Sequence, residues 1–201
     1  MQVNSFTTEQ EWLDARRAKI TGSKLHNIVV KRGNTKKIGF YQLIADRLGI
    51  EDGSEDGRDR GHELEEEAVR ALSEATGIDF KTELVMWVSD ENPDIAYSPD
   101  GYTEDNTITA EVKNLSSARH LQIVIENKIP SEYFEQMLQS FITNEKQKEH
   151  YFASYDNRVT AKPLHYIVTK REDVEESIAY LKDYQTKTLE EVNEWVEKLA
   201  F

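Results

Sequence analysis

The sequence predicts an α/β protein, a β-sheet covered by helices in a single domain. Three observations point there. The chain has 201 residues, 38% hydrophobic and 31% charged, which suffices for one sizeable core and not for two large ones. Apolar residues recur at helical spacing in several separate stretches. Five short β-like runs lie among and beside those stretches, so strands are interrupted and flanked by helices.

The elements follow in chain order. Thr8, with Glu11 three places later, predicts a capping box that opens a helix through Trp12, Leu13 and Arg16. A second helix is predicted from Thr21 in "TGSKLHNIVV", followed by a basic turn at 31–37, "KRGNTKK". "GFYQLIADRLG" returns to helical spacing until Gly49 stops it. The stretch 51–60 holds glycines and charges without an apolar anchor and predicts a mobile loop. From Gly61, "HELEEEAVRALSEATG" reads as a strong helix ended by Gly77. Three β-like segments come next, "ELVMWVS", "IAYSPDGY" and "ITAEVKN". Helical patterns resume over 117–127 and 131–145 with Pro130 at their boundary. Two further strands, "HYFASYD" and "LHYIVTK", precede a helical C-terminal region at 171–201.

Composition excludes several kinds of chemistry. With no cysteine there is no disulfide, thiolate metal site, thiol nucleophile or iron–sulfur cluster, and a reducing interior fits. His26, His62, His120, His150 and His165 lack the spacing of a histidine zinc site. The first residues carry no signal-peptide pattern and no apolar run reaches membrane-spanning length, so a cytoplasmic protein is expected. A formal charge of −13 repels a phosphate polymer, so contact with DNA must be focused on a few concentrated basic groups. The same acidity suits a carboxylate site for divalent cations.

The stretch "SPDGYTEDNTITAEVKN", residues 98–114, concentrates the chemistry. Alternation along a strand sends Glu111 and Lys113 to one face, while Ile108, Ala110 and Val112 turn to a core. A two-strand arrangement brings Asp100 beside Glu111 and makes a pair of oxygen ligands for a hard cation such as Mg2+. The competing reading is a solvated hairpin with a cross-strand Glu–Lys pair. On the helix at 61–77, Leu64, Ala68, Leu72 and Ala75 share one arc, and Glu65 falls within it while Glu63, Glu66 and Glu67 point to solvent. A carboxylate on a buried stripe needs a metal or an ion-pair partner, and both readings of Glu65 stand.

These residues carry a resemblance. Asp100, ten residues and then Glu-Val-Lys resembles the PD-(D/E)XK nuclease signature. The segments "EWLDARRAKITGSKLHNIV", "GHELEEEAV", "SPDG", "EVK", "EYFEQMLQSFIT", "YFASYDNRV" and "LHYIV" are similar, in order and rough spacing, to the phage lambda exonuclease-like (YqaJ-type) recombinases. The resemblance runs from about Trp12 to Val168. It implies a single nuclease domain over 1–201, of the restriction-endonuclease-like fold with a central mixed β-sheet flanked by helices. The activity it implies is 5′-to-3′ degradation of one strand of double-stranded DNA to 5′ mononucleotides, leaving 3′ tails for phage-type recombination.

Residue by residue, the resemblance makes Asp100 and Glu111 the principal ligands of two Mg2+ ions, with Mn2+ as a possible substitute and the Val112 carbonyl as a further oxygen. Lys113 would position the attacking water, Glu65 would assist the metals, and Gln136 matches a helix glutamine near the site. Arg16, Ser23, Ser98, Arg119 and Trp12 match a pocket for the 5′-phosphate. Trp12 and Arg16 stand four apart on one helix face, although Trp12 also reads as a core anchor and Arg16 as a partner of Asp14 or Glu11. The family often carries a cysteine–proline pair after the lysine, where this chain has Asn114-Leu115, so the loop toward Arg119 departs from the pattern. Further implications are a preference for 5′-phosphorylated ends, a homotrimeric ring and a single-strand annealing partner. The rival functions are another nuclease of the superfamily, either an endonuclease or a single-strand exonuclease, and a noncatalytic DNA-end binding protein of the same fold. Lys31, Arg32, Lys36 and Lys37 in the basic turn are read either as a DNA-backbone contact or as a solvated loop.

Overall fold

A computed structural model describes residues 1–50 and 62–200. The predicted mobile loop at 51–60 lies outside them. The first strand, β1 (Gln2–Ser5), leads to α1 (Glu9–Arg16), where the capping box forms as expected: Thr8 accepts from the Glu11 amide and Glu11 accepts from the Thr8 amide. After a two-residue strand, β2 (Ile20–Thr21), the helix predicted from Thr21 is instead a short 3-10 helix over Gly22–Asn27. The Thr21 side chain makes no cap there, and the tighter turn ends at Ile28. Helices α2 (Ile38–Arg47) and α3 (His62–Thr76) follow, and each is stopped near a glycine in the left-handed region, Gly49 at φ +72° and Gly77 at φ +73°.

Strands β3 (Val85–Val88), β4 (Ile95–Tyr97), β5 (Gly101–Tyr102) and β6 (Ile108–Asn114) come next, then α4 (Ser117–Glu126) and α5 (Ser131–Thr143). Strands β7 (Glu149–Tyr155) and β8 (Leu164–Lys170) precede α6 (Glu175–Leu199), which makes the C-terminal region one helix of 25 residues. The strands form two four-stranded mixed ladders, β1-β3-β4-β2 and β5-β6-β7-β8. The segment predicted as one strand, "IAYSPDGY", is thus two, broken at Ser98–Asp100 where the chain passes from one ladder to the other. Within the second ladder β6 pairs parallel with β7, and β5 and β8 are antiparallel to their neighbours.

Of four apolar clusters among the described residues, the two largest hold helices against the ladders. The larger gathers the 3-10 turn, α2, α5 and α6, with Leu25, Leu43, Phe141, Leu181 and Val192 among its members. The smaller seats α3 on the second ladder, where Ala68, Val69 and Leu72 meet Ala110, Val112 and Ala153. Strand alternation along β6 is as expected, with Ala110 and Val112 toward α3 and Ile108 packed against the same cluster. The α3 arc differs at two places: Ala75 is exposed, and Glu67 is half-buried and accepts a hydrogen bond from the Tyr155 hydroxyl at 2.7 Å. The helix is therefore rotated so that Ala71 rather than Ala75 contributes to the core. Among the described residues no helix is long and apolar enough to cross a membrane.

Candidate active site

A cleft of about 860 Å³ opens where the two ladders meet. The break between β4 and β5 places Asp100 on its wall, because the Asp100 amide donates to the Ala110 carbonyl at 3.2 Å and continues the β5–β6 pairing by one residue. In that register Gly101 pairs with Ala110, so Asp100 stands opposite Glu111. The Asp100 carboxylate also accepts from the Val112 amide at 2.8 Å. Glu111 and Lys113 share the face of β6 away from α3, and Lys113 Nζ donates to Glu111 Oε1 at 2.6 Å. Only 3% of the Glu111 side chain is exposed, against 22% for Lys113. A solvated hairpin does not bury a carboxylate in this way, so that reading of the pair falls.

Two further donors hold Glu111. The Tyr97 hydroxyl reaches Oε2 at 2.9 Å from the end of β4, and Gln136 Nε2 on α5 reaches Oε1. Gly22 lets the 3-10 turn approach this corner, since a Cβ there would lie 3.0 Å from Gln136 Cγ and 3.2 Å from Tyr97 Cδ2. Tyr133, a turn earlier on α5, sets its ring 5.3 Å from the Lys113 ammonium. Glu65 lines the same cleft.

Electrostatics mark the cluster as a place for positive charge. Burial, then the charge of Glu111, push the Asp100 carboxyl well above the usual carboxylate range, with Glu65 adding to the rise and Lys113 opposing it. For Lys113, burial works against the ammonium, but Glu111 and Asp100 outweigh it and hold the group above its ordinary value. Burial and the neighbouring Glu111 raise Tyr97 as well, so its hydroxyl stays protonated as a donor. Two facing carboxylates with hard oxygen donors, one of them costly to ionise unaided, fit a Mg2+-like ion. Among the described residues no three His, Asp or Glu side chains stand close enough to chelate an ion together. Such an ion commonly takes one or two carboxylates and completes its shell with water and substrate phosphate.

Beside the carboxylates lies the second predicted group. The Arg16 guanidinium sits 4.0 Å from the Trp12 ring centroid and donates to Ser23 Oγ at 2.9 Å, while Trp12 Nε1 donates to Ser98 Oγ at 3.0 Å. All four residues line the cleft, and both Trp12 and Arg16 are buried. A buried guanidinium stacked on an indole, with one hydroxyl bonded to it and another to the indole, can receive an anion at modest reorganisation cost. Arg119 is not brought there: it is bonded to Gln122 and Glu132 on the outer side of α4 and α5 and does not line the cleft. In the basic turn, Lys31 pairs with Glu135, Lys36 with Glu191, and Lys37 donates to the His26 carbonyl.

Sequence reasoning did not find Tyr97, Tyr133, Asn114 or Arg158. An aromatic in a short apolar strand carries no sign that its hydroxyl will meet a carboxylate; only the pairing register supplies it. Asn114 ends β6 with its Oδ1 buried and without a partner among the described residues, and Arg158 lines the cleft from the turn between β7 and β8.

A family model described as the YqaJ-like viral recombinase domain matches residues 11–147. Among solved structures, an alkaline exonuclease (LHK-Exo) from Laribacter hongkongensis is similar at 25% identity and TM-score 0.84, over 94% of this chain and 95% of that one. The same enzyme in complex with dAMP matches at 26% identity and TM-score 0.83, with the same coverage. A phage-related exonuclease from Haemophilus somnus 129PT shares the fold at 14% identity and TM-score 0.67, over 92% of this chain and 97% of that one. No curated protein matches the chain in sequence.

Proposed function

This chain belongs to the YqaJ-like viral recombinase domain family, and on that premise we propose that it is a Mg2+-dependent exonuclease that degrades one strand of double-stranded DNA from its 5′ end. The family and the likeness to the alkaline exonuclease make it a nuclease of PD-(D/E)XK type acting on DNA. Exonuclease action from the 5′ end is supported by one observation: the acid–lysine cluster and the Trp12–Arg16–Ser23–Ser98 cluster share a single cleft. A pocket for a terminal phosphate next to a hydrolytic centre limits cutting to a fixed distance from the strand end, which yields mononucleotides. A relative bound to dAMP, a deoxynucleoside monophosphate, agrees with such a product.

Asp100 and Glu111, with the Val112 carbonyl, would hold the divalent ions, and Glu65 would assist them. Bound ions supply Lewis-acid stabilisation of the phosphoryl oxygens and a more acidic water. Lys113 holds the attacking water in line and offsets charge gathering on the phosphate. Tyr97 and Gln136 fix the rotamer of Glu111 so that it need not reorganise when substrate arrives. Arg16, Ser23, Ser98 and Trp12 read the 5′-phosphate. Arg119 joins them only if α4 shifts to release it from Glu132.

The remaining parts follow from the family. A homotrimeric ring would enclose the duplex, slow its escape and gather the basic groups of an acidic chain on one inner surface. The 3′ tail would pass to a single-strand annealing protein in the cytoplasm of a bacterial host. Digestion of an end-labelled linear duplex tests the reading, with 5′-phosphate compared with 5′-hydroxyl and Mg2+ or Mn2+ compared with EDTA. Release of 5′ mononucleotides from the phosphorylated end, abolished by EDTA, is the expected result. Internal cutting, or indifference to the 5′-phosphate, would overturn the exonuclease assignment.

A further inference from the structure

The turn after β7 builds a second cationic feature on the cleft that neither predicted cluster uses. Asp156 is buried and accepts from Ser117 Oγ at 2.6 Å. It also accepts from Arg158 Nε at 2.7 Å and Nη2 at 3.0 Å, a two-point grip on the guanidinium. Arg158 Nη2 reaches the Leu115 carbonyl as well, at 3.2 Å, and so ties this turn to the loop two residues beyond Lys113. Three constraints therefore fix an arginine whose side chain is still 65% exposed. Its remaining nitrogen, Nη1, makes no hydrogen bond to the described residues. A surface arginine that merely balances charge has no need of so rigid a frame around one unused donor edge.

Position gives that edge a use. A run of contacts joins Arg16, Ser23 and Gly22 to Gln136, Glu111 and Lys113, and continues through Leu115 to Arg158. Arg16 and Arg158 both line the cleft that holds the carboxylates, and this run links them by way of Glu111. We propose that Arg158 is a backbone-phosphate contact for the cut strand on the 3′ side of the scissile bond, donating through Nη1 to a non-bridging oxygen. This rests on the reading of Arg16 as the 5′-phosphate pocket and of Asp100 and Glu111 as the cutting centre. Asp156 prepays the ordering of the guanidinium, so the contact forms with little loss of side-chain freedom.

Methylphosphonate scanning tests the assignment. Neutral linkages are placed one at a time along either strand of a 5′-phosphorylated duplex, and KM is measured for the wild type and for Arg158→Gln. In the wild type, one linkage on the cut strand just 3′ of the scissile bond should raise KM about tenfold, the value of one charge-assisted hydrogen bond. In Arg158→Gln the unmodified duplex should already show that KM, the same linkage should cost nothing more, and the salt dependence of binding should fall by about one phosphate contact. A purely structural arginine would leave the linkage penalty intact in the variant, and that result overturns the proposal, as does a penalty that moves only for the complementary strand. Melting of both proteins guards against misfolding; if Arg158→Gln does not fold, Arg158→Lys, which cannot keep the two-point grip of Asp156, should lose most of the linkage penalty together with the matching part of the salt slope. Wild-type protein that cuts without regard to the 5′ end would fail the functional reading first and the proposal with it.

Discussion

Replacing Lys113 by methionine keeps most of the stem and removes the charged amine, so its effects can be worked from the geometry. Glu111, 3% exposed, would lose a 2.6 Å charged hydrogen bond but keep those from Tyr97 and Gln136. Breaking a fully buried pair costs about 3–5 kcal/mol. Lys113 reaches cleft water and two donors to Glu111 remain, which brings the cost down to about 2 kcal/mol. For a domain of this size that lowers Tm by about 4–8 °C. The rate should fall much further, by about 10²- to 10⁴-fold, because the group that holds the attacking water is gone. Differential scanning fluorimetry and single-turnover digestion read the two effects separately. Mg2+ should raise the Tm of the variant more than that of the wild type, since a cation between Asp100 and Glu111 replaces the missing charge. Turnover within tenfold of the wild type would refute the role of Lys113, and a loss of DNA binding equal to the loss of rate would assign it to binding instead.

Three further outcomes follow. Arg16→Ala should abolish the preference for a 5′-phosphorylated end while hydrolysis continues, as measured by the ratio of kcat/KM on phosphorylated and hydroxyl ends; an unchanged ratio makes Arg16 structural. Tyr97→Phe keeps the edge-on ring contact with Trp87 at 6.2 Å and removes the donor to Glu111. It should cost about 1.5–3 kcal/mol by urea denaturation, together with a lower kcat. Burial holds His150 neutral, with its pKa pushed down to about 3. A depressed folded-state value means stability that is complete above the unfolded pKa of about 6.5 and lost as pH falls toward 3, at up to about 1.4 kcal/mol per unit. His150→Gln should flatten the urea midpoint against pH in that window, and an unaltered slope would contradict the assignment.

What the sequence disclosed was local. The Thr8–Glu11 cap, the glycine stops after α2 and α3, and the alternation along β6 each depend on residues within a few positions of one another, and each forms as expected. What it concealed depends on pairing. β1 is a four-residue strand whose side chains are all exposed, and it exists because its backbone bonds to β3. β2 has only two residues and pairs in parallel with β4. The break at Ser98–Asp100 is marked by Pro99, which cannot donate to a ladder, but only the assembled sheets show that the chain changes ladder there and forms the wall of the cleft. The site divides in the same way. Asp100, Glu111 and Lys113 were visible because one hairpin carries them, and Glu65 because it sits on an apolar arc. Tyr97 and Arg158 were hidden because their partners lie 14 and 43 residues away and only the assembled sheet joins them. Arg119 enters by the resemblance alone, across a loop that departs from the family's pattern, and the structure turns it toward Glu132.

The proposed function requires Asp100 and Glu111 to bind a divalent cation in the cleft. Anomalous scattering from crystals of the wild-type protein soaked in Mn2+ addresses it most directly. A manganese peak beside the two carboxylates is expected, with Lys113 Nζ displaced from Glu111 Oε1. Crystals saturated with manganese that show no peak there, with Asp100 still bonded to the Val112 amide and Glu111 still closed on Lys113, would contradict it.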